Sequence, residues 1–496
     1  MNVLLIFSDQ HNPSFTGCYG SPHARTRHID RLAAQGTKFT AAYTPSPMCV
    51  PARGAMFAGQ YAHKVGCWDN TLPYDGTVRG YSHHLQDSGV NLTTIGKLDF
   101  AGQEGNYGIN EMLLAKNRSS LDAVGFFRDP PLVRRPVYHV FGNWEVYPRK
   151  NQMRKENEVT QTAIDWLINH KDDATPWVLN VNFMRPHSPW KPQVDSFEYY
   201  KSVLKDYDLP PKYSQPLDQL HPADQQHSIY SCGFDHDIDR VKNSHAGYLA
   251  TIEELDDSIG DILNTLDVLG LAEDTVVIYT SDHGEMCRAH GIWEKSNMYE
   301  DSIRVPMIIR DPRSPAAQTV EKPVSLIDVF PTISDYLGKG AMPEAQGQSL
   351  RPFVENGENA AADNFRDYNF SESHCIGRIT GTFALRKGDW KLIENVGYAP
   401  MLFNLAADPD EMNDLAPQAA ADPAIAAKIE ELQGILSGVC DINATDKAAR
   451  AAQQEQKTAL EQSGQLAEEL AKRGFTTDGQ RLFPIDFANF VDKENG

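Results

Sequence analysis

Short apolar runs recur along the first three hundred residues, and each is bounded by polar or turn-forming positions. The first run, Val3-Leu4-Leu5-Ile6-Phe7, breaks at Ser8-Asp9-Gln10. Uninterrupted apolar runs of about four to eight residues are typical of strands buried on both faces of a parallel sheet. The same pattern predicts strands at residues 2–8, 37–43, 91–95, 177–183 and 275–280.

Between these strands, apolar positions recur with the spacing of a helix. From Val241 to Leu269 they repeat every three or four residues, which predicts a long helix packed on the core. Shorter helices are predicted at residues 28–35, 51–58, 156–169 and 325–337. Alternating strands and helices predict an α/β fold with a large mixed, mostly parallel sheet flanked by helices.

A different pattern begins near residue 365. Short segments at 379–386, 390–394 and 401–405 predict a smaller C-terminal antiparallel-sheet subdomain. Residues 422–473 are rich in Ala, Glu, Gln and Lys, and they predict one or two exposed helices. The chain then reaches an apolar run at 482–490, which docks either on a neighbouring subunit or on its own chain.

These patterns divide the chain into three parts: a large α/β domain at residues 1–365, an antiparallel-sheet subdomain at 366–420, and C-terminal helices with a tail at 421–496, which are candidates for oligomer contacts. Two tracts, 102–150 and 191–240, show little periodicity and are predicted to be loops. Long loops are commonly functional, so both tracts are candidates for substrate specificity and subunit contacts.

Charge and cysteine content narrow the class of protein. The 496 residues carry a formal net charge of −21, which argues against nucleic acid and anionic membranes as partners, since both attract clustered Lys and Arg. The seven cysteines are odd in number and lack a CxxC spacing, and Met1-Asn2 leads directly into the first apolar run without a basic stretch or a small-residue cleavage site. These features predict a cytoplasmic protein in a reducing compartment, without a membrane span.

Candidate chemistry begins at a Cys-x-Pro-x-Arg motif formed by Cys49, Pro51 and Arg53. A proline that opens a helix would place Cys49 in the positive field of the helix N-terminus. Arg53 would follow one turn later, where its guanidinium could bind an oxyanion. The alternative is that Cys49 is an ordinary buried apolar thiol.

A second group of polar residues follows the ends of predicted strands. Asp9 and Gln10 follow the first strand, and Asp282 and His283 follow the strand at 275–280. Since ligands bind at the carboxyl ends of strands in open α/β sheets, these side chains predict one divalent metal site beside Cys49. Oxygen ligands suit Ca²⁺, Mg²⁺ or Mn²⁺ and an imidazole favours Mn²⁺ or Zn²⁺, so Ca²⁺ or Mn²⁺ is expected first.

Further motifs occur in one consistent order: Asp9-Gln10, Cys49-x-Pro51-x-Arg53, Gly96-Lys97, Pro186-His187-x-Pro189-Trp190, Ser281-Asp282-His283-Gly284-Glu285, and Lys295 ahead of Arg304-Val305-Pro306. In these motifs, from residue 2 to about 416, the chain resembles the formylglycine-dependent sulfatases of the alkaline phosphatase superfamily. The branch it resembles most holds arylsulfatases, choline-sulfatase-like enzymes and phosphonate monoester hydrolases. The resemblance implies an alkaline-phosphatase-like fold and a catalytic role for residues 1–365.

The resemblance also implies a role for each matching residue. A formylglycine-generating enzyme would oxidise Cys49, and the hydrated aldehyde would attack the sulfur of a small-molecule sulfate ester, assisted by one metal ion. The metal ligands would be Asp9, Asp282, His283, residue 49 and Gln10. Arg53, Lys97 and Lys295 would neutralise the ester oxygens, and His187 would protonate the leaving alcohol.

Three residues are candidate substrate contacts: Asn70, Gln10 and Asp99. Asp99 stands where many relatives have His, so the sequence departs from the family pattern there. We interpret the chain as a metal-dependent, arylsulfatase-like hydrolase of sulfate monoesters, expected to form a homodimer or homotetramer. Two alternatives stay open: a phosphonate monoester or phosphodiester hydrolase with the same residues, and a catalytically inactive scaffold.

Overall fold

The computed structural model describes residues 1–102, 105–117, 122–129, 154–231, 237–358, 360 and 365–472. Its strands are β1 Asn2–Asp9, β2 Thr37–Phe39, β3 Ala42–Tyr43, β4 Asn91–Lys97, β5 Glu111–Lys116, β6 Trp177–Pro186, β7 Thr275–Ser281, β8 Met307–Arg310, β9 Gln318–Val320, β10 Val324–Ser325, β11 Tyr368–Ser373, β12 Thr382–Lys387, β13 Trp390–Asn395 and β14 Met401–Asn404.

Its α-helices are α1 Arg27–Gln35, α2 Cys49–Ala58, α3 Ala62–Val65, α4 Tyr81–Asp87, α5 Arg154–Asn169, α6 Val194–Leu204, α7 Pro222–Ser231, α8 Ile238–Val268, α9 Glu300–Ile303, α10 Val329–Tyr336, α11 Arg351–Asn356, α12 Pro423–Val439, α13 Ile442–Gln462 and α14 Gln465–Ala471.

An eight-stranded sheet in the order β5-β4-β6-β1-β7-β8-β2-β9 forms the centre of the protein. It is mostly parallel, with β8 antiparallel to both β7 and β2. Residues of β1 alternate between two cores: Leu4 and Ile6 pack with residues of α1, α5 and α8, whereas Leu5 and Phe7 pack with residues of α2, α4 and α10. Helices therefore cover both faces, and the predicted α/β architecture is confirmed.

Parallel pairing aligns the strand ends that matter for chemistry. Strands β4, β6, β1 and β7 are neighbours and run in the same direction. Their carboxyl ends consequently share one edge of the sheet. That edge carries Asp9 and Lys97 within the last residues of β1 and β4, and His187 and Asp282 directly after β6 and β7.

A separate antiparallel sheet, β11-β12-β13-β14, lies near the C-terminus, as predicted. Helix α12 packs on it through Ile425, Leu432 and Leu436. Helices α13 and α14 instead bury Leu460, Leu466 and Leu470 against residues near the pocket described below. The region predicted as one or two exposed helices thus holds three, and each buries one apolar face while most of its other residues are exposed or half-buried. The three domain boundaries stay predictions.

Several predicted bounds are wrong. The strand predicted at 37–43 is two strands, because β2 pairs with β8 and β9 whereas β3 pairs with β10. The helix predicted from residue 51 begins at Cys49, since the first-turn N–H groups have no intrahelical acceptor and a proline is tolerated there. The strand predicted from 379 begins at Thr382.

The tracts predicted as loops contain regular elements. Strand β5 lies in the first tract, and α6 and α7 lie in the second. Strand β11 was also not predicted, because the residues after Phe370 are polar although they are buried. The apolar run at 482–490 lies outside the described residues. Within the described residues, no helix combines the length and the apolar character needed to cross a membrane.

Candidate active site

Cys49 is the first residue of α2, and every residue of that helix is buried. The run Ala52 to Ala58 is rich in small and apolar residues, so the helix can pack tightly beneath the sheet edge. The Cys49 side chain is only 2% exposed, and its Sγ lies 3.3 Å from His283 Nε2 and 3.8 Å from Asp9 Oδ1. The predicted position at a helix N-terminus is therefore observed.

Four buried side chains have the composition of a cation site. The ligand atoms of Asp9, Cys49, Asp282 and His283 all lie within 4.8 Å of one another. His283 Nδ1 lies 3.0 Å from the Gly284 carbonyl, so Nε2 is the nitrogen that faces the cluster. Two carboxylates, one imidazole and residue 49 fit one divalent cation in number and chemistry.

Electrostatic coupling within the cluster separates the pKa values of the two carboxyl groups. Burial raises the pKa of Asp9, but Lys97, His187, Arg53 and His283 outweigh it and hold that pKa well below its usual range. Burial and the neighbouring Asp9 raise the pKa of Asp282. Close carboxylates resist ionising together, and a bound cation would relieve that repulsion.

The thiol of Cys49 is also perturbed. Burial and the Asp9 carboxylate raise its pKa, whereas Lys295, Lys97 and His283 lower it, and the cations prevail. The pKa of Cys49 is therefore well below that of a free thiol. Negative charge on residue 49 is stabilised by the groups that surround it, which is the property a nucleophile at this position needs.

Two cations neutralise the acidic side of the cluster. Arg53 Nε donates to Asp282 Oδ2 at 3.1 Å, its Nη2 donates to Asp9 Oδ2 at 3.4 Å, and its Nη1 donates to the Lys97 carbonyl at 2.7 Å. Lys97 Nζ forms an ion pair with Asp9 and lies 3.1 Å from Asp99 Oδ2. Arg53 thus lies behind the cluster, with its guanidinium nitrogens bonded to protein oxygens.

A second pair of basic groups, Lys295 and His187, lies close together near Cys49. Lys295 Nζ is 2.8 Å from His187 Nε2, and His187 Nδ1 is 2.5 Å from the Ser188 carbonyl. Lys295 Nζ also donates to Gln10 Oε1, and Gln10 Nε2 donates to Glu285. Gln10, predicted as a metal ligand and substrate contact, directs its amide at Lys295 and Glu285.

A cavity of about 240 Å³ opens above these groups. Its lining includes six of the predicted site residues: Cys49, Asn70, Lys97, Asp99, His187 and Lys295. Asn70 Oδ1 accepts from the Val50 N–H at 3.3 Å, which ties this side chain to the first turn of α2. The structure therefore brings together the nucleophile, the basic residues and the candidate substrate contacts.

Sequence reasoning missed other parts of the site. Asp122, His227, Tyr230 and Glu294 also line the cavity. Three of them lie in tracts predicted only as loops, where no periodicity marks individual side chains. Gln453 of α13 donates to Asp69 Oδ2 at 2.5 Å, next to Asn70, and nothing in the helical pattern could indicate this contact.

A reactive side chain beside a group that could hold a cation, facing lysines in a polar cavity, is an arrangement typical of metal-assisted hydrolases that act on anionic esters. Comparison with known proteins makes the class specific. The family model "Sulfatase" matches residues 1–339, and the model "N-sulphoglucosamine sulphohydrolase, C-terminal" matches residues 288–436. The chain belongs to the sulfatase family and is a hydrolase of sulfuric ester bonds.

Individual relatives are similar over most of their length. Arylsulfatase K of Mus musculus is 31% identical over 434 residues, which cover 84% of this chain and 76% of the relative. A choline-sulfatase of Rhizobium meliloti (strain 1021) is 30% identical over 475 residues, covering 91% and 89%. The crystal structure of phosphonate monoester hydrolase of Agrobacterium radiobacter superposes with a TM-score of 0.70 at 23% identity, covering 87% and 95%, and shows the same fold.

Proposed function

We propose that the protein hydrolyses sulfate monoesters with a formylglycine nucleophile made from Cys49. The position of Cys49 carries this proposal. Its Sγ lies at the start of α2, within 4 Å of Asp9 and His283 atoms, and at the wall of the cavity that Lys97 and Lys295 also line. Two relatives named arylsulfatase K and choline-sulfatase support sulfate esters as the substrate class.

The residues around Cys49 would have separate roles in cation binding. Asp9, Asp282 and His283 would hold the divalent cation, with residue 49 completing the set, and Ca²⁺ or Mn²⁺ stays the prediction. When bound, the cation supplies Lewis-acid polarisation. Arg53 orients the two carboxylates from behind, as its hydrogen bonds to both of them indicate.

The reaction needs two steps at residue 49. In the first, one hydroxyl of the hydrated aldehyde gives its proton to Asp282 as it attacks sulfur, the bond from sulfur to the alcohol oxygen breaks, and the His187–Lys295 pair supplies a proton to that oxygen. In the second, the other hydroxyl gives its proton back to the His187–Lys295 pair, the bond from carbon to the sulfate oxygen breaks, and sulfate leaves the restored aldehyde. Asp282 then releases its proton to solvent, and the aldehyde adds water to form the diol again. Lys97 and Lys295 stabilise the charge that develops on the sulfuryl oxygens.

Mass spectrometry of the peptide that contains residue 49, combined with an aryl sulfate assay, tests this proposal. Conversion of a thiol to an aldehyde lowers the mass, whereas ordinary cysteine oxidation adds oxygen. We expect the active protein to carry the lighter peptide, and Cys49→Ala to abolish turnover. Cys440→Ala, a buried cysteine of the α12–α13 junction, is the matched control and should keep full activity. Full activity with unmodified Cys49 would contradict the formylglycine mechanism.

The cavity also favours a second substrate class, phosphonate monoesters and phosphodiesters. Asp99 is 4% exposed and its Oδ2 lies 3.1 Å from Lys97 Nζ at the cavity wall. A buried carboxylate there opposes a second negative charge on the transferred group, so singly charged esters are favoured over phosphate monoesters. A panel of aryl sulfate, phosphonate monoester, phosphodiester and phosphate monoester, compared by kcat/KM, separates the two classes.

The same panel decides whether the chain is an inactive scaffold. Absence of turnover on every ester, with residue 49 fully converted and a divalent metal supplied, would establish that alternative. The participation of a formylglycine-generating enzyme, the cytoplasmic location and the homodimer or homotetramer stay predictions.

A further inference from the structure

Glu285 is fully buried in the segment that follows β7, and three N–H donors converge on its carboxylate. Its Oε1 accepts from the backbone N–H groups of Cys287 and Glu294, each at 2.9 Å. Its Oε2 accepts from Gln10 Nε2. Glu285 does not line the cavity, and the mechanism above gives it no role.

Gln10 is held as firmly as Glu285. Its backbone N–H donates to Asp282 Oδ1 at 2.9 Å, and its carbonyl accepts from the Tyr248 hydroxyl at 2.6 Å. Its φ of 67° lies in the left-handed region, which non-glycine residues adopt infrequently. The backbone therefore fixes where this side chain starts, and the hydrogen bonds of its amide fix where it ends.

Glu285 sets the orientation of the Gln10 amide. Both oxygens of Glu285 accept from N–H groups, and the Lys295 ammonium can only donate, so the amide nitrogen of Gln10 faces Glu285 and the amide oxygen faces the other way. The oxygen accepts from Lys295 Nζ. An amide in the reverse orientation would direct N–H groups at the ammonium, donor against donor.

The contacts close into a ring around one lysine. Glu285 Oε1 binds the N–H of Glu294, the residue before Lys295, and so fixes the backbone from which this lysine extends. Through Gln10, the other oxygen of Glu285 fixes the ammonium at the end of the same side chain. Lysine has a long flexible stem, and holding both ends places Nζ at 2.8 Å from His187 Nε2.

We propose that Glu285 and Gln10 are positioning residues that hold the Lys295 ammonium at the leaving-group side of the cavity. This inference rests on the proposed sulfatase function. Neither residue would contact the substrate. Their effect passes through Lys295 and His187, which the mechanism assigns to charge neutralisation and proton donation.

Glu285→Gln tests the orientation argument with an isosteric change. The new amide can keep its oxygen on the two backbone N–H groups, and it then presents its NH₂ to Gln10. Gln10 must turn its own oxygen toward residue 285 and its nitrogen toward Lys295, which displaces the ammonium. We expect kcat to fall about tenfold to a hundredfold, the cost of misplacing a catalytic group.

The double variant Glu285→Gln with Gln10→Glu provides the rescue. A carboxylate at position 10 accepts from both the new amide and Lys295, so the acceptor facing the ammonium is restored. We expect the double variant to recover at least about tenfold of the lost kcat, a non-additive result that indicates direct coupling. Asp256→Asn, a buried carboxylate that accepts from the first N–H groups of α1, is the matched control and should keep wild-type activity.

Two measurements distinguish a positioning role of Glu285 from a general loss of structure. Loss of proton donation should lower kcat more for aryl sulfates with poor leaving groups than for those with good ones. Calorimetric titration with inorganic sulfate should show about tenfold weaker binding in Glu285→Gln and recovery in the double variant.

Wild-type kcat and sulfate affinity in Glu285→Gln would overturn the proposal. So would a loss without rescue in the double variant, or a loss explained by lower metal content or incomplete conversion of residue 49. If Glu285→Gln does not fold, Gln10→Met decides: weakened sulfate binding supports the proposal, and unchanged binding overturns it. An inactive wild-type protein with converted residue 49 would instead refute the proposed function, since sulfate binding is measured independently of turnover.

Discussion

Glu372 of β11 contacts His63 of α3, the helix that follows α2, and so connects the C-terminal sheet to this part of the chain. Removal of its carboxylate should change the free energy of unfolding by an amount that depends on pH. Its Oε1 lies 2.8 Å from His63 Nδ1 and accepts from the His63 N–H at 2.9 Å, while its Oε2 lies 3.3 Å from His374 Nε2. Burial raises the pKa of Glu372, but His63 and His374 outweigh it and lower the pKa from 4.5 to about 2.

The size of the effect follows from this shift. A carboxyl group whose pKa is depressed in the folded state stabilises the protein above the unfolded pKa, and the stabilisation is lost as the pH falls toward the folded pKa. A fall in the pKa from 4.5 to about 2 corresponds to about 3 kcal/mol at pH 5, below the ordinary pKa of histidine. From pH 5 to pH 3.5, the linkage relation removes about 1.2 kcal/mol of it.

Glu372→Gln should therefore be less stable than wild type at pH 5, and the difference between their free energies of unfolding should narrow by about 1.2 kcal/mol at pH 3.5. Urea unfolding, followed by tryptophan fluorescence at the two pH values, measures this difference in the free energy of unfolding between variant and wild type. Glu455→Gln, an exposed glutamate of α13, is the control and should show no change in its difference. A difference for Glu372→Gln that is equal at both pH values would refute the reasoning.

Three further predictions concern buried contacts near the site. Arg378 Nη1 lies 2.5 Å from the buried Asp224 carboxylate, and Arg378→Met would leave that carboxylate without its ion-pair partner. The free energy of unfolding measured in urea should fall by about 3–5 kcal/mol, and a loss under about 1 kcal/mol would contradict this. Gly96→Ala should lower both the urea midpoint and kcat, since Gly96 has a φ of 92° and an added Cβ would lie 2.2 Å from the Asn182 carbonyl; wild-type values would contradict it. Lys97→Met should lower kcat about 10²- to 10³-fold at saturating aryl sulfate, as loss of a group that stabilises the transition state does; an unchanged kcat would exclude that role.

The positions of the polar site residues at the ends of strands could be predicted, because strands of a parallel sheet are buried on both faces. Their sequences are continuous apolar runs, and the polar residue that ends each run must lie at the sheet edge. The positions of Asp9, Lys97 and Asp282 follow from this rule. Strand β5 does not obey it, because it lies at the sheet edge, where alternating exposure gives a weak pattern, and the sequence did not indicate it.

Contacts between distant loops could not be predicted from local patterns. The ring through Glu285, Gln10 and Lys295 depends on the path of the chain between residues 285 and 295, which no periodicity describes. The same holds for Gln453, which belongs to an Ala- and Gln-rich helix of ordinary appearance and yet contacts Asp69. Residue types and their order reveal the chemistry of the site, whereas its support comes from tertiary packing.

The burial of Cys49 limits when, during translation, the proposed oxidation of this residue can take place. Ser296 donates its N–H to the Pro47 carbonyl and Glu372 donates its N–H to the Pro45 carbonyl, so late segments cover the loop that precedes α2. His283, which lies against the thiol, is 234 residues further along the chain. At about 5–20 residues per second, a ribosome takes about 12–47 s to add that length. An oxidising enzyme that acts on Cys49 thus has this interval, before the later segments are synthesised, in which the cysteine is still accessible.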